Sequence, residues 1–308
     1  MFLFKKNSLT LNEIKEKPFK LEKDLQEIAE NNLEKVFGLE FVCSEFAVWE
    51  FRIDTLAYDP ENKSFVIIEY KRDRSFSIVD QWYSYLALLL NNKAEFVLKY
   101  NEEFKSPIQK SDINWESSKV IFVANGFTSY QKNAINFKDL PIELWESRQF
   151  ENEIILFNQV KASKTSESIK TISKWDKTFS KITEEIKTYT IEDHFKEWWN
   201  ESKEIYENFK NKVLELDSRI EEDPKKWYIA YKVGNKVLIE LYVYKSKLNI
   251  DFMKIEPKDL KDPEKKVFYK KNSIKHFKRH ISTFSINNED DIDYWIMLIK
   301  QVLKKFFL

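Results

Sequence analysis

The sequence predicts an α/β protein, with a mixed sheet flanked by helices in the first half and a second, smaller α+β domain after it. Three observations predict this. Apolar runs in the first half switch between helical and strand periods, in the order helix, strand, hairpin, helix, strand, helix, strand. Residues 158–187 then lose that periodicity and are dominated by Lys, Ser, Thr and Glu. Beyond them Gly234-Asn235 sits between two strand-like runs, and an amphipathic segment closes the chain. The expected division is 1–157, a linker over 158–187, and 188–308.

Residues 1–17 show no clear periodicity and read as a short arm or lead-in strand. Leu21, Leu25, Ile28, Ala29, Leu33 and Val36 recur at helical spacing, and Gly38 suits the end of that helix. A strand within 39–48 leads into a hairpin of 51–57 and 65–71, with Asp59-Pro60-Glu61-Asn62 supplying turn chemistry. Phe65-Val66-Ile67-Ile68 is apolar on both faces, as in a central strand covered on both sides. Residues 80–90 read as a helix with a buried aliphatic face, 119–124 as a buried strand, 128–137 as a helix and 142–145 as a further strand.

The hairpin carries the candidate chemistry. A turn centred on Glu61 and Asn62 sets Tyr58 opposite Phe65 and Asp54 opposite Glu69. Directly opposed residues have Cβ atoms about 4.5–5.5 Å apart. Lys71 follows Glu69 by two residues and shares its face. Two carboxylates and an amine on one side of a sheet suit a hard divalent ion such as Mg²⁺ or Mn²⁺, with the lysine beside it to orient water and offset charge on a phosphate. The alternative is a surface ion pair on a half-wet strand, although Asp, Glu and Lys are rarely buried unless paired or metal-bound.

Asp54 followed by Glu69-Tyr70-Lys71 at the end of an apolar strand resembles the PD-(D/E)XK nuclease motif. Gln81 to Tyr85 resembles the QxxxY helix start of RecB-like members. The stretch RIDTLAYD…VIIEYKR…QWYSYL is similar to the catalytic domain of NucS-type endonucleases, and the resemblance covers residues 18–157. It implies a restriction-endonuclease-like mixed-sheet core and a metal-dependent endonuclease that hydrolyses phosphodiester bonds, in DNA rather than RNA. It implies Asp54 and Glu69 as metal ligands, Lys71 as the residue that positions or activates water, and Gln81 in support. Superfamily members often carry a further carboxylate on the preceding helix. Of Glu22, Glu27 and Glu30 the pattern matches best at Glu22, with a solvated glutamate as the alternative. Arg72 and Arg74 beside the motif suit phosphate contact, or form a charged loop. Tyr85 lies one turn from Gln81 on the same side, as a contact to nucleic acid or as core.

Composition narrows the classes. Lys+Arg and Asp+Glu are each 51, so the formal net charge is zero and any DNA contact must come from a local basic surface. Cys43 is the single cysteine, which excludes an intrachain disulfide and a cysteine zinc cluster and fits a reducing cytoplasm. No apolar run approaches the about 20 residues that span a bilayer, so no membrane is expected. Three glycines, Gly38, Gly126 and Gly234, exclude a Walker A loop and a dinucleotide fingerprint.

In the second half, Thr190-Ile191-Glu192-Asp193 reads as a capping-box variant. A helix to about Leu216 follows, burying Phe195, Trp198, Trp199, Ile205, Phe209 and Val213. Strands are expected over 227–233, 236–244, 248–255 and 281–286, then a helix over 290–306. This half resembles a domain of unknown function found beside such nuclease-like domains and sometimes labelled a predicted transport protein. Lys270, Lys271, Lys275, Lys278 and Arg279 around His276 and His280 form a basic patch, read as a solvated face or as a phosphate-backbone contact. Tyr228, Tyr231, Tyr242 and Tyr244 read as core and sheet surface, or as base-stacking groups. Two functions follow: a metal-dependent endonuclease, with a homodimer left open, or a non-catalytic nucleic-acid-binding or interaction protein whose nuclease-like half is structural.

Overall fold

The computed structural model describes residues 2–71, 78–105, 107–135, 140–161, 187, 189–271, 273–274 and 279–307 (of residues 78–80, 134 and 306 the backbone only). Arg72, Arg74, most of the expected linker, and His276 with Lys275 and Lys278 lie outside the described residues. The chain divides into two compact units, Met1–Thr188 and Tyr189–Leu308.

The first unit runs β1 (Phe4–Asn7), β2 (Thr10–Glu13), α1 (Glu22–Glu30), α2 (Leu33–Phe37), β3 (Glu40–Val48), β4 (Phe51–Asp59), β5 (Ser64–Lys71), α3 (Ile78–Asn91), α4 (Lys93–Phe104), β6 (Lys119–Ala124), α5 (Ser129–Ala134), β7 (Ile142–Gln149) and β8 (Ile155–Val160). Strands β3 to β8 form one sheet in that order. The β5–β6 and β6–β7 pairs are parallel and the others antiparallel. Parallel neighbours need covered crossovers, and both faces are covered. Phe65 and Ile67 of β5 pack with Trp82, Leu86 and Phe96 of α3 and α4. Val66, Ile68 and Tyr70 pack with Leu25, Ala29 and Leu33 of α1 and α2. This alternation puts Glu69 and Lys71 on the α3 side.

Several elements differ from the sequence expectation. The arm before residue 17 is an exposed two-stranded ribbon of β1 and β2. The first helix is broken at Asn31-Asn32, and Gly38 ends its second part in the left-handed region at φ 72°. Helix α4 was not read, because it buries only Phe96, Val97 and Tyr100 and carries charge on its remaining faces. Strand β8 runs to Val160, three residues beyond 157.

The second unit contains α6 (Asn200–Leu214), β9 (Ile220–Pro224), β10 (Ile229–Val233), β11 (Lys236–Tyr244), β12 (Lys247–Met253), β13 (Phe268–Tyr269), β14 (Ile281–Ile286) and α7 (Ile292–Phe307). Its sheet, in the order β13-β14-β12-β11-β10-β9, is antiparallel throughout. Tyr206, Phe209, Trp295 and Ile299 of the helices close over Tyr231, Leu241, Ile250 and Phe284 of the sheet. The β10–β11 turn has φ 59° at Gly234, and Asn235 is not among the positive-φ residues, which matches the expected II′ geometry. The expected helix from residue 191 instead starts at Asn200, after a 3₁₀ turn over Glu192–His194. Thr190 N–H donates to Asp193 Oδ2 at 2.8 Å and so closes that short turn. Trp198 is 65% exposed, with the Lys196 ammonium over its ring, so the spacing of 195, 198 and 199 is not a buried helical stripe. Tyr228 and Tyr231 are buried, Tyr242 is half-buried and Tyr244 exposed. No helix among the described residues is long and apolar enough to cross a membrane.

Candidate active site

The β4–β5 ladder pairs Asp59 with Ser64, Tyr58 with Phe65, and so on to Thr55 with Ile68. One step further, Asp54 stands opposite Glu69, and there the main-chain pairing stops. The Asp54 carboxylate takes over the ladder's role, its Oδ2 accepting the Tyr70 N–H at 3.0 Å. A side chain thus satisfies a buried donor that the neighbouring strand no longer reaches.

Glu69 is only 3% exposed. Its Oε1 accepts from Lys71 Nζ at 2.7 Å. Its Oε2 is buried with no hydrogen-bond partner. Burial, and then the negative charge of Asp54, push the Glu69 carboxyl up to about 7, against the pull of Lys71. Burial also raises Asp54, opposed by the Tyr70 N–H and the Lys71 charge. Burial disfavours the charged Lys71, but Glu69 and Asp54 outweigh it and hold the ammonium above its ordinary value. The two carboxylates and the lysine therefore form one coupled group.

Glu22 opens α1 and is exposed. It lines a cleft of about 340 Å³ with Lys71, Asn125, Phe19 and Leu25, and its charge reaches both Asp54 and Lys71. Gln81 and Tyr85 lie one turn apart on α3. The Gln81 Oε1 is buried without a hydrogen-bond partner. The Tyr85 hydroxyl lies near enough to Glu69 to favour its charged form, yet no group completes a hydrogen bond to Oε2. The structure thus gathers Asp54, Glu69, Lys71, Tyr85 and the Glu22 charge at one end of the sheet.

Two facing carboxylates, one with an unsatisfied buried oxygen, are the oxygen donors that Mg²⁺ or Mn²⁺ takes. Among the described residues no group of three or more His, Cys, Asp or Glu side chains is gathered for a metal. Water or substrate oxygen would complete the shell, as is usual for Mg²⁺.

Sequence reasoning missed the polar layer behind this pair. Gln26 Nε2 donates to the Asp54 carbonyl at 3.0 Å. Glu30 Oε1 accepts from Gln26 at 3.0 Å, Ser44 at 2.8 Å and Thr55 at 2.5 Å. The available signal was the four-residue spacing of Glu22, Gln26 and Glu30, beside the apolar stripe of Leu25, Ala29 and Leu33.

Residues 191–301 match the model of a domain of unknown function, DUF5655. Two solved structures overlap part of the chain. One, described as an EndoMS–dsDNA2 complex, is 21% identical with a TM-score of 0.25 and covers 42% of this chain and 47% of its own. The other, a repair endonuclease from Pyrococcus abyssi, is 18% identical with a TM-score of 0.26 and covers 43% of this chain and 50% of its own. The match thus spans about half the length of each solved chain. An uncharacterised protein of Haemophilus influenzae is 40% identical over 304 residues, which is 99% of this chain and 100% of that one. This chain belongs to the family of that Haemophilus influenzae protein.

Proposed function

We propose that the first unit hydrolyses phosphodiester bonds in nucleic acid, DNA rather than RNA, with Mg²⁺ or Mn²⁺ held by Asp54 and Glu69. One observation carries the reading: Glu69 keeps a buried oxygen without a partner, facing a second carboxylate that repels it. A pair so arranged is short of positive charge, and a cation supplies it. The motif Asp54, Glu69-x-Lys71 and Gln81-x-x-x-Tyr85 supports the same reading.

In this role Asp54 and Glu69 bind the ion, and the Tyr70 N–H fixes the direction of the Asp54 carboxylate. Bound there, the ion supplies Lewis acidity to a phosphoryl oxygen. Lys71 orients the attacking water and offsets the charge that builds on the phosphate as the leaving oxygen departs. Gln81 Oε1 accepts a hydrogen bond from a water or ligand entering the site, and Glu22 bounds the cleft. Arg72 and Arg74 contact phosphates, and Tyr85 lies beside Glu69, favours its charged form and borders the substrate. The reading places the protein in the cytoplasm. The reading leaves a homodimer open.

The second reading is a non-catalytic nucleic-acid-binding or interaction protein. The 2.7 Å Lys71–Glu69 bridge favours it, because a partnered carboxylate can serve structure alone. Incubation with single-stranded, duplex and branched DNA and with RNA, with and without Mg²⁺ or Mn²⁺, separates the two. Metal-dependent cleavage that disappears in Glu69→Gln is the expected result. Binding without cleavage under every condition favours the second reading.

A further inference from the structure

We infer that Gln26 and Glu30, on the face of the sheet opposite the carboxylates, are positioning residues for Asp54. The inference rests on the reading of Asp54 and Glu69 as a cation-binding pair. Asp54 lies one step beyond the last β4–β5 pair, and on its other side the β3–β4 register pairs its neighbours Ile53 and Thr55 with Phe46 and Ser44. Gln26 and Glu30 add side-chain hydrogen bonds at that point. The Gln26 amide donates to the Asp54 carbonyl at 3.0 Å. The next residue, Thr55, is fully buried and gives its hydroxyl to Glu30 at 2.5 Å. The same Glu30 oxygen takes the Ser44 hydroxyl of β3 at 2.8 Å, and Thr55 Oγ1 lies 3.4 Å from the Tyr70 hydroxyl of β5. One carboxylate oxygen on α1 thereby ties together three strands around the Asp54 peptide, while the Tyr70 N–H holds the Asp54 carboxylate from the side.

Docking α1 does not require this layer. Leu25, Ala29 and Leu33 already bury an apolar stripe against Val66, Ile68 and Tyr70. Gln26 is 7% exposed, and burying an amide and a carboxylate beside that stripe costs desolvation that apolar side chains would avoid. What the polar groups add is direction. The hydrogen bond from Gln26 sets the direction of the Asp54 carbonyl, and outer contacts of this kind commonly alter metal affinity by about 10–100-fold. The stripe of Glu22, Gln26 and Glu30 also runs along α1 from the cleft to Thr55, so helix and carboxylate pair share one frame.

The test is Mn²⁺ binding by the full chain at pH 8, with free Mn²⁺ counted by its paramagnetic resonance signal. Gln26→Met keeps length and bulk and removes the amide donor, and Glu30→Gln keeps shape and removes the charge. Both are expected to raise the Mn²⁺ dissociation constant about tenfold. Ala29→Gly weakens the same helix without touching the polar layer and is expected to bind Mn²⁺ like the parent. Unchanged Mn²⁺ binding in Gln26→Met and Glu30→Gln overturns the inference and leaves the carboxylate pair as a cation site. Equal weakening in Ala29→Gly overturns it too, because helix stability then explains the effect. A parent that takes up no Mn²⁺ overturns the cation-binding reading and the inference together.

Discussion

Each unit sets two carboxylates opposite each other on neighbouring antiparallel strands, and it treats them in opposite ways. In the second unit Glu240 of β11 is paired with Asp251 of β12 at the end of their ladder, and Asp251 is also paired with Thr283 of β14. Both are buried, at 6% and 2% exposure. Lys270 Nζ meets Asp251 Oδ2 at 2.6 Å, the Tyr242 hydroxyl meets Glu240 Oε2 at 2.7 Å, and neither carboxylate has a buried oxygen without a partner. In the first unit the pair likewise stands at the end of a ladder, one step past Thr55 and Ile68, but Glu69 Oε2 has no partner. Opposed carboxylates are therefore not a site in themselves. The hydrogen bond left unmade at Glu69 is what distinguishes the two pairs.

The largest effect should come from breaking the satisfied pair. Lys270→Met leaves Asp251 buried opposite Glu240 without its ammonium partner. Loss of one member of a buried ion pair costs about 3–5 kcal/mol, and Lys270 is itself about a third exposed, so about 3 kcal/mol is expected from urea unfolding. Divalent metal should not restore it. Recovery of stability by Mn²⁺ in this variant would place a cation at the second pair and dissolve the contrast.

The pH dependence of the first pair is next. The unfolded chain releases the Glu69 proton near 4.5, and the folded chain keeps it to about 7. Between those values the folded state binds more protons, so the stability that protonated Glu69 contributes is complete below 4.5 and is lost as pH rises through 7. The loss is about 3 kcal/mol in metal-free protein, and Asp54, also raised, adds to it with the same sign. Melting curves across pH 4.5–8 in chelator measure this, and Glu69→Gln should flatten the slope. An equally steep slope in that variant would assign the titration to another group.

Metal should then reverse the effect. At one hundred times its dissociation constant, Mn²⁺ bound only by the folded chain stabilises it by about 2.7 kcal/mol. The parent should show that rise at pH 8, and Glu69→Gln much less. Metal-free Glu69→Gln should melt at or above the parent, because one of two repelling charges is gone. A large metal-independent loss in the variant, with no metal response in the parent, would make Lys71–Glu69 a structural bridge like Lys270–Asp251.

The difference between the pairs also shows what the sequence made legible. The register of β4 and β5 was readable because Asp59-Pro60-Glu61-Asn62 fixes the turn and an apolar run fixes the faces. Asp54, Glu69 and Lys71 could be placed together from that register alone. The end of the ladder at Thr55 and Ile68 could not, since no residue type marks where two strands part. The layer of Gln26, Glu30, Ser44 and Thr55 depends on contacts between positions 14 to 28 residues apart, beyond the reach of periodicity. Glu240 and Asp251 went unremarked because each sits singly in an apolar run, and only pairing across β11 and β12 brings them together. Trp198 misled for the converse reason, since helical spacing says which residues share a face but not whether anything covers it.

The smallest and most discriminating comparison is between two hydroxyls. Tyr242 donates to Glu240 Oε2 at 2.7 Å, and a hydrogen bond to a buried charged group contributes about 1.5–3 kcal/mol. Tyr242→Phe should therefore cost about 2 kcal/mol. Tyr85 lies near Glu69 and favours its charged form, but Oε2 remains without a hydrogen bond. Tyr85→Phe removes a nearby dipole rather than a completed contact, so it should cost less than about 0.5 kcal/mol. Its effect belongs in the titration: with that dipole gone, the Glu69 midpoint should move above its present value of about 7. Carboxyl carbon shifts of Glu69 against pH, read beside urea unfolding of both variants, measure the two quantities separately. If Tyr85→Phe costs as much as Tyr242→Phe and leaves the titration in place, Glu69 is as fully satisfied as Glu240, and the first pair loses its claim to a cation.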